Sequence, residues 1–269
     1  MFIIFNLPVE LGQMILSSWL SLPDLSRLDI SFCNGEQRRK YYEYLRSPCG
    51  VIFHGVIMSN QLKNESYSAW LKQRSLRVDK FAIWHRLRDV ESNRYLLHNN
   101  GDVVQSIVVH LSGYNFEETV MHCLKVSEIH IYDSCCSRNA VDQLLVLCTN
   151  LRSVIFWRFS YSDDTLYALS KIAAHLRKFR TNTPGLSTDL GLVTFFNACQ
   201  TLHHVELVQP YCTDVTLEAL GKCSQLRTLD LANFCRSSDA GFCRMVDGLQ
   251  MLEAFTISAR VCFSDAALA

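Results

Sequence analysis

Residues 202–231, LHHVELVQPYCTDVTLEALGKCSQLRTLDL, set a pattern that few architectures can satisfy. Leu202, Val205 and Leu207 place apolar side chains on one face of a short strand. Asp214 then opens a run in which Leu217, Leu220 and Cys223 recur at every third residue, a helical spacing. Three residues after Cys223 the strand pattern returns as Leu226, Leu229 and Leu231. One strand and one helix cannot bury their own apolar faces, so the unit requires stacking against copies of itself.

The register extends in both directions. Strand starts fall at Val78, Val104, Val126, Leu151, Leu176, Leu202, Leu226 and Leu252, between 22 and 26 residues apart. The second apolar position is Phe81, Ile107, Ile129, Val154, Phe179, Val205, Leu229 or Phe255. The third is Ile83, Val109, Ile131, Phe156, Thr181, Leu207, Leu231 or Ile257, and Thr181 is the one polar substitute. Asp163, Asp189, Asp214, Asp239 and Asp265 stand 12 or 13 residues after the last five starts. Each precedes an apolar residue by three, and each is expected to cap its helix by accepting orphan backbone N–H groups. The unit resembles a cysteine-containing leucine-rich repeat. That resemblance implies an α/β solenoid, a curved parallel sheet with helices outside it.

Cysteine usage fits this register. Cys123, Cys148, Cys199 and Cys223 each lie three residues before a strand start, where other repeats have Ala173 or Leu249. A slot that accepts Cys, Ala or Leu is a packing slot, because metal ligation would not tolerate Ala. Equivalent slots lie one repeat apart, which disfavours disulfides, and the usage fits a reducing compartment, cytoplasmic or nuclear. Cys135-Cys136, and His203-His204 beside Cys199 and Cys212, lack metal-ligand spacing, so no metal or cofactor is expected.

Upstream of the repeats, Leu7-Pro8-x-Glu10-Leu11, Ile15, Leu20, Asp24-Leu25 and Leu28 trace two short amphipathic helices. Pro8 and Glu10 suit the first turn of the first helix, and Leu22-Pro23-Asp24 breaks it and starts the second. Leu11, Ile15 and Trp19 share one face, with Met14 and Leu20 beside them. One reading is a cap on the open end of the solenoid. The same residues look like an F-box, the helical motif that binds the Skp adaptor of an SCF ubiquitin ligase. The resemblance is carried by the first half of the motif, and its position directly before leucine-rich repeats is the layout of one F-box class. It implies that Leu7, Pro8, Leu11, Ile15, Leu20, Leu25 and Leu28 contact the adaptor.

Residues 36–46 read as a charged helix with Tyr41, Tyr42 and Leu45 on its apolar side. Ser47-Pro48-Cys49-Gly50 is a turn and the expected boundary. The organisation is therefore a helical domain over 1–46, a linker or degenerate first repeat over 47–77, and the solenoid over 78–269. The last repeat stops soon after Asp265, so truncation at the C-terminus is expected. Lys72, Arg74, Arg77, Lys80, Arg86 and Arg88 could form an RNA or acidic-partner patch, but Asp79, Asp89 and Glu91 balance them. Formal net charge is zero, which argues against nucleic acid as partner. No apolar run spans a membrane, and the opening MFIIFNLP lacks the basic start of a secretory signal.

Residues between the buried strand positions must face the other side of the sheet. Tyr132, Ile155 and Trp157 would stand there together, flanked by Lys178 and Arg180 and then by His204, Glu206 and Asp230. An apolar centre with a basic flank suits a protein segment carrying acidic residues. No Gly-rich phosphate loop, G-x-S-x-G or metal-ligand spacing is present, so the chain is not expected to be an enzyme. Its expected partners are a Skp-type adaptor and a target protein of unknown identity. The alternative is a repeat scaffold without a ubiquitin link.

Overall fold

The computed structural model describes residues 7–32, 34–46, 52–58, 70, 73–74, 76–83, 98–109, 123, 125–132, 138–209 and 211–258. Cys135-Cys136, Lys72, Arg86, Arg88, Asp265 and the C-terminal end lie outside these. The chain forms two compact units, residues 1–108 with 118–125, and residues 109–117 with 126–269.

The first unit opens with α1 (Val9–Trp19), α2 (Leu22–Ser31) and α3 (Gly35–Arg46). Pro8 stands at the N-cap of α1, and its carbonyl accepts the Gly12 N–H at 3.0 Å. Ser21 starts α2 in a reciprocal box, with the Ser21 hydroxyl 2.6 Å from the Asp24 carboxylate and the Asp24 N–H reaching back to it. Leu16, Leu25, Leu28, Phe32, Tyr41, Tyr44 and Leu45 are buried. The Tyr41 hydroxyl donates to the Leu25 carbonyl at 2.7 Å. Asp29, its side chain 2% exposed, accepts from Tyr42, Arg38, Trp70 and Arg74. Residues 52–58 are the strand β1 (Ile52–Met58), parallel to β2 (Arg77–Ile83), which carries the first repeat triplet. Next comes β3 (Ser106–Val109) with Ile107 and Val109 buried.

The second unit is a solenoid of stacked strand–helix repeats. Its strands are β4 (Glu128–Tyr132), β5 (Ser153–Trp157), β6 (Lys178–Thr181), β7 (His204–Val208), β8 (Thr228–Ala232) and β9 (Ala254–Ser258). Each pairs in parallel with the next, and Ile129, Val154, Phe179, Val205, Leu229 and Phe255 align across the sheet. These are the second positions of the sequence register. The connecting helices are α4 (Arg138–Leu147), α5 (Asp163–Lys171), α6 (Asp189–Ala198), α7 (Asp214–Gly221) and α8 (Asp239–Gly248). Their apolar residues meet the sheet to form the core, and each buried Leu or Phe there contributes about 1.5–3 kcal/mol. Phe156, Phe159, Tyr161, Phe179, Phe195 and Phe196 add a run of ring contacts at 4.7–5.9 Å. Thr181 is buried too, and its hydroxyl accepts the Val208 N–H at 3.3 Å.

Cys123, Cys148, Cys199 and Cys223 are buried free thiols in their expected slot. Burial pushes the Cys223 thiol up to about 12, so it remains protonated and unreactive near neutral pH.

The aspartates require a correction. The residues at the N-cap positions of α6, α7 and α8 are Thr188, Thr213 and Ser238, one position before each Asp, and the Thr213 and Ser238 hydroxyls accept from the Val215 and Gly241 N–H groups. The side chains of Asp163, Asp189 and Asp214 reach across to the following repeat instead. Asp163 accepts the Thr188 N–H and hydroxyl, both at 2.8 Å. Asp214 does the same for Ser238, at 2.6 and 2.5 Å. Once a hydroxyl residue occupies the cap, a carboxylate in the first turn serves better as an acceptor for the neighbour's loop. Two positions on in the next helix stands Gly191 or Gly241, where an added Cβ would lie 2.1 Å from Asp163 Oδ1 or 2.3 Å from Asp214 Oδ1.

Candidate functional site

Two surfaces carry the residues singled out by sequence. In the first unit, α1 presents two different faces. Gly12, Gln13 and Leu16 are buried. A Cβ at Gly12 would lie 1.9 Å from Tyr44 Cε1, so the absence of a side chain lets the Tyr44 ring lie on the helix backbone. The Gln13 amide donates to the Tyr44 carbonyl, and the Tyr44 hydroxyl to the Leu7 carbonyl. Held this way, α1 turns Leu11, Met14 and Trp19 outward. Leu11 is 42% exposed, Met14 55% and Trp19 80%, and Ile30 on α2 is 75% exposed.

Among the residues expected to meet an adaptor, Pro8 and Leu11 are exposed, and Leu7, Ile15 and Leu20 are half-buried. Leu25 and Leu28 do not share that surface. They are buried, at 0% and 7% exposure, because α2 turns them inward with Tyr41. Met14 joins Leu11 on the outward side of α1, as its i, i+3 spacing permits.

In the second unit, the sheet face away from the buried positions brings Tyr132 and Trp157 together. Their rings are 6.1 Å apart and nearly parallel, with His130 6.4 Å from Tyr132 on the other side. Just past Trp157 the backbone turns through Arg158 at φ 57°, a left-handed conformation that costs a non-glycine residue free energy. The Asn182 side chain accepts the Arg158 N–H at 2.8 Å and pins the turn.

Ile155 departs from expectation. It lies on this face in register between His130 and Arg180, yet it is only 4% exposed. At that exposure the apolar floor offers almost no contact surface of its own. Arg180 is also committed: its guanidinium sits 5.8 Å from the Trp157 ring centre and forms a 2.5 Å ion pair with Glu206. Lys178, His204, Glu206 and Asp230 are half-buried. Burial, then Lys178 and Arg180, hold His204 below its ordinary value. Burial, then neighbouring Glu206, push the Asp230 carboxyl up.

Among the described residues no group of three or more His, Cys, Asp or Glu is placed to hold a metal ion, and no helix is long and apolar enough to cross a membrane.

A scan against protein-family models returns no match, and no curated protein matches the sequence. One solved structure similar to this chain is an internalin from Listeria monocytogenes, with TM-score 0.43 and 12% identity, over 75% of this chain and 67% of that chain.

Proposed function

We propose that this chain is the substrate-recognition subunit of an SCF-type ubiquitin ligase. The helices α1 to α3 dock on a Skp-type adaptor, and the sheet face of the repeats holds a target protein. Ubiquitin transfer belongs to a partner enzyme, not to this chain, and the setting is the reducing interior of the cell. The supporting observation is the outward row of Leu11, Met14 and Trp19 on α1, large apolar side chains left exposed among the described residues.

A second reading, a repeat scaffold whose helices are only an end cap, is favoured by the packing of α1 and α2 against β1. The two readings differ in what the outward row does. The test is co-purification of the intact chain with a cognate Skp adaptor, beside an F-box of known affinity. Capture of the adaptor supports the ligase reading. Failure under conditions where the control binds retires it in favour of the scaffold.

A further inference from the structure

The residues that open the strands of the second unit carry a second pattern. Ser127, Arg152, Arg177, His203, Arg227 and Glu253 share one slot, one residue after each apolar strand start. Their backbones form a ladder: the Arg152 N–H donates to the Ser127 carbonyl at 2.7 Å, Arg177 to Arg152 at 2.8 Å, and His203 to Arg177 at 2.8 Å. Arg227 and Glu253 continue it, and their side chains close on each other at 2.8 Å. The ladder holds neighbouring slots one strand spacing apart, about 4.8 Å.

Arg152 and Arg177 are both exposed, and among the described residues neither has an ion-pair partner. Like charges on adjacent strands repel, so this arrangement costs stability until an anion arrives. Lys178 adds a third cation beside Arg177 at the start of β6. Arg180, by contrast, is already neutralised by Glu206. Of the acids on this face, Glu128 on β4 lies in register with Ser153, Glu206 on β7 pairs with Arg180, and Asp230 on β8 lies two strands from β6.

The aromatic pair lies at the far ends of β4 and β5. From the level of Lys178 to that of Trp157 is four residues, about 13 Å along the strand. An extended peptide covers that distance in about four residues. We propose that the target segment is an extended peptide with a cluster of carboxylates over Arg152, Arg177 and Lys178 and, about four residues away, an aromatic or aliphatic side chain against Tyr132 and Trp157. Guanidinium groups accept carboxylates in paired hydrogen bonds, and a desolvated aromatic anchor supplies the apolar hold.

The proposal rests on the sheet face being the target surface, but adaptor docking by α1 is measured separately, so the two can fail independently. The experiment pans a random-peptide phage library against the immobilised intact chain, then against Arg152→Glu/Arg177→Glu and Trp157→Ala. Circular dichroism melts of the variants check folding, which exposed arginines should not disturb. The expected result is enrichment of Asp or Glu about four residues from Trp, Phe or Leu. The arginine pair variant loses the acidic preference and about tenfold of the affinity for a selected peptide, while Trp157→Ala loses the apolar preference. Enrichment of basic peptides, no enrichment, or acidic preference that survives Arg152→Glu/Arg177→Glu overturns the proposal. A uridine 20-mer that competes for the same arginines more tightly than the selected peptide does so too, in favour of RNA.

Discussion

The carboxylate of Asp189, on α6, accepts both the backbone N–H and the hydroxyl of Thr213, at 3.0 and 2.8 Å, from the residue that caps α7. The same carboxylate takes the hydroxyl of Thr216. Asp163 with Thr188, and Asp214 with Ser238, repeat the arrangement. The solenoid is therefore stitched at the helix starts by side chains, as well as at the strands by backbone.

Removing the Asp189 link should be costly. Asp189→Ala deprives three donors of their acceptor, and Thr216 is fully buried. Hydrogen bonds to a charged group contribute about 1.5–3 kcal/mol each, but they are not additive. The expected loss is about 2–4 kcal/mol in urea unfolding. Asp189→Asn, which keeps an acceptor, should lose about half of that. Equal stability of wild type and Asp189→Ala would show that the stitch is incidental.

Gly191 gives an independent check. Alanine is the better helix former by about 1 kcal/mol, yet its Cβ would meet the Asp163 carboxylate. Gly191→Ala should therefore destabilise, by about 1–3 kcal/mol, and the loss should shrink in an Asp163→Ala background. A gain in melting temperature from Gly191→Ala alone would contradict the close approach.

The repeat period, the aligned second positions and the cysteine slot were all legible in the sequence, because each follows from burial at a fixed spacing. Other features depended on residues far away in the chain. Asp163 reads as a cap until Thr188, a repeat later, is seen to donate to it. In the sequence Leu11, Ile15 and Trp19 read as one shared face of α1, and spacing alone does not say whether that apolar face turns inward. The structure buries Gly12 and Gln13, and the reason is Tyr44, two helices on. Ile155 lies on the expected face, but strand alternation gives only the side a residue faces, not that it is buried there.

The buried carboxylate of Asp29 sets an acid limit on the first unit. Burial alone would push its pKa up, but hydrogen bonds from Trp70, Tyr42 and Arg38, with Arg74 close by, win and hold it below the ordinary value. The unfolded chain binds its proton near pH 3.9, and the folded chain only at lower pH. The stabilisation is therefore full above about pH 5 and lost as pH falls through the folded value. Asp29→Asn should cost about 3 kcal/mol at pH 7, since it leaves Arg74 without its counter-charge in a site where it is only 15% exposed. The variant should also show a flatter decline between pH 5 and 2. A wild-type stability that is constant over that range would rule out this role.

Thiol labelling distinguishes packing cysteines from accessible ones. Cys235 and Cys243 are exposed, whereas Cys123, Cys148, Cys199, Cys212 and Cys223 are buried. Burial also pushes the buried Cys123 thiol up to about 12, so both access and thiolate fraction oppose reaction. A maleimide should modify Cys235 and Cys243 in the folded chain and reach the buried five only in denaturant. Cys223→Ala should cost about 1–2 kcal/mol, the loss for a small buried apolar group. Modification of Cys199 or Cys223 in the native chain, at a rate near that of Cys235, would place those thiols outside the core.

The two faces of α1 and α2 make opposite predictions for adaptor binding and stability. Leu11 is exposed, so Leu11→Ala removes little buried area and should shift the melting temperature by no more than about a degree. If the outward row docks on a Skp adaptor, the same change should weaken adaptor binding by about 1–3 kcal/mol, and Trp19→Ala should act in the same direction. Leu25 is fully buried, so Leu25→Ala opens a cavity and should destabilise the fold by about 2–5 kcal/mol whether or not an adaptor exists. Ile15, half-buried, should show part of each effect. The informative quantity is the ratio of binding loss to stability loss, high at Leu11 and Trp19 and low at Leu25. Binding losses that simply track unfolding across all four positions would mean that the outward row takes no part in docking.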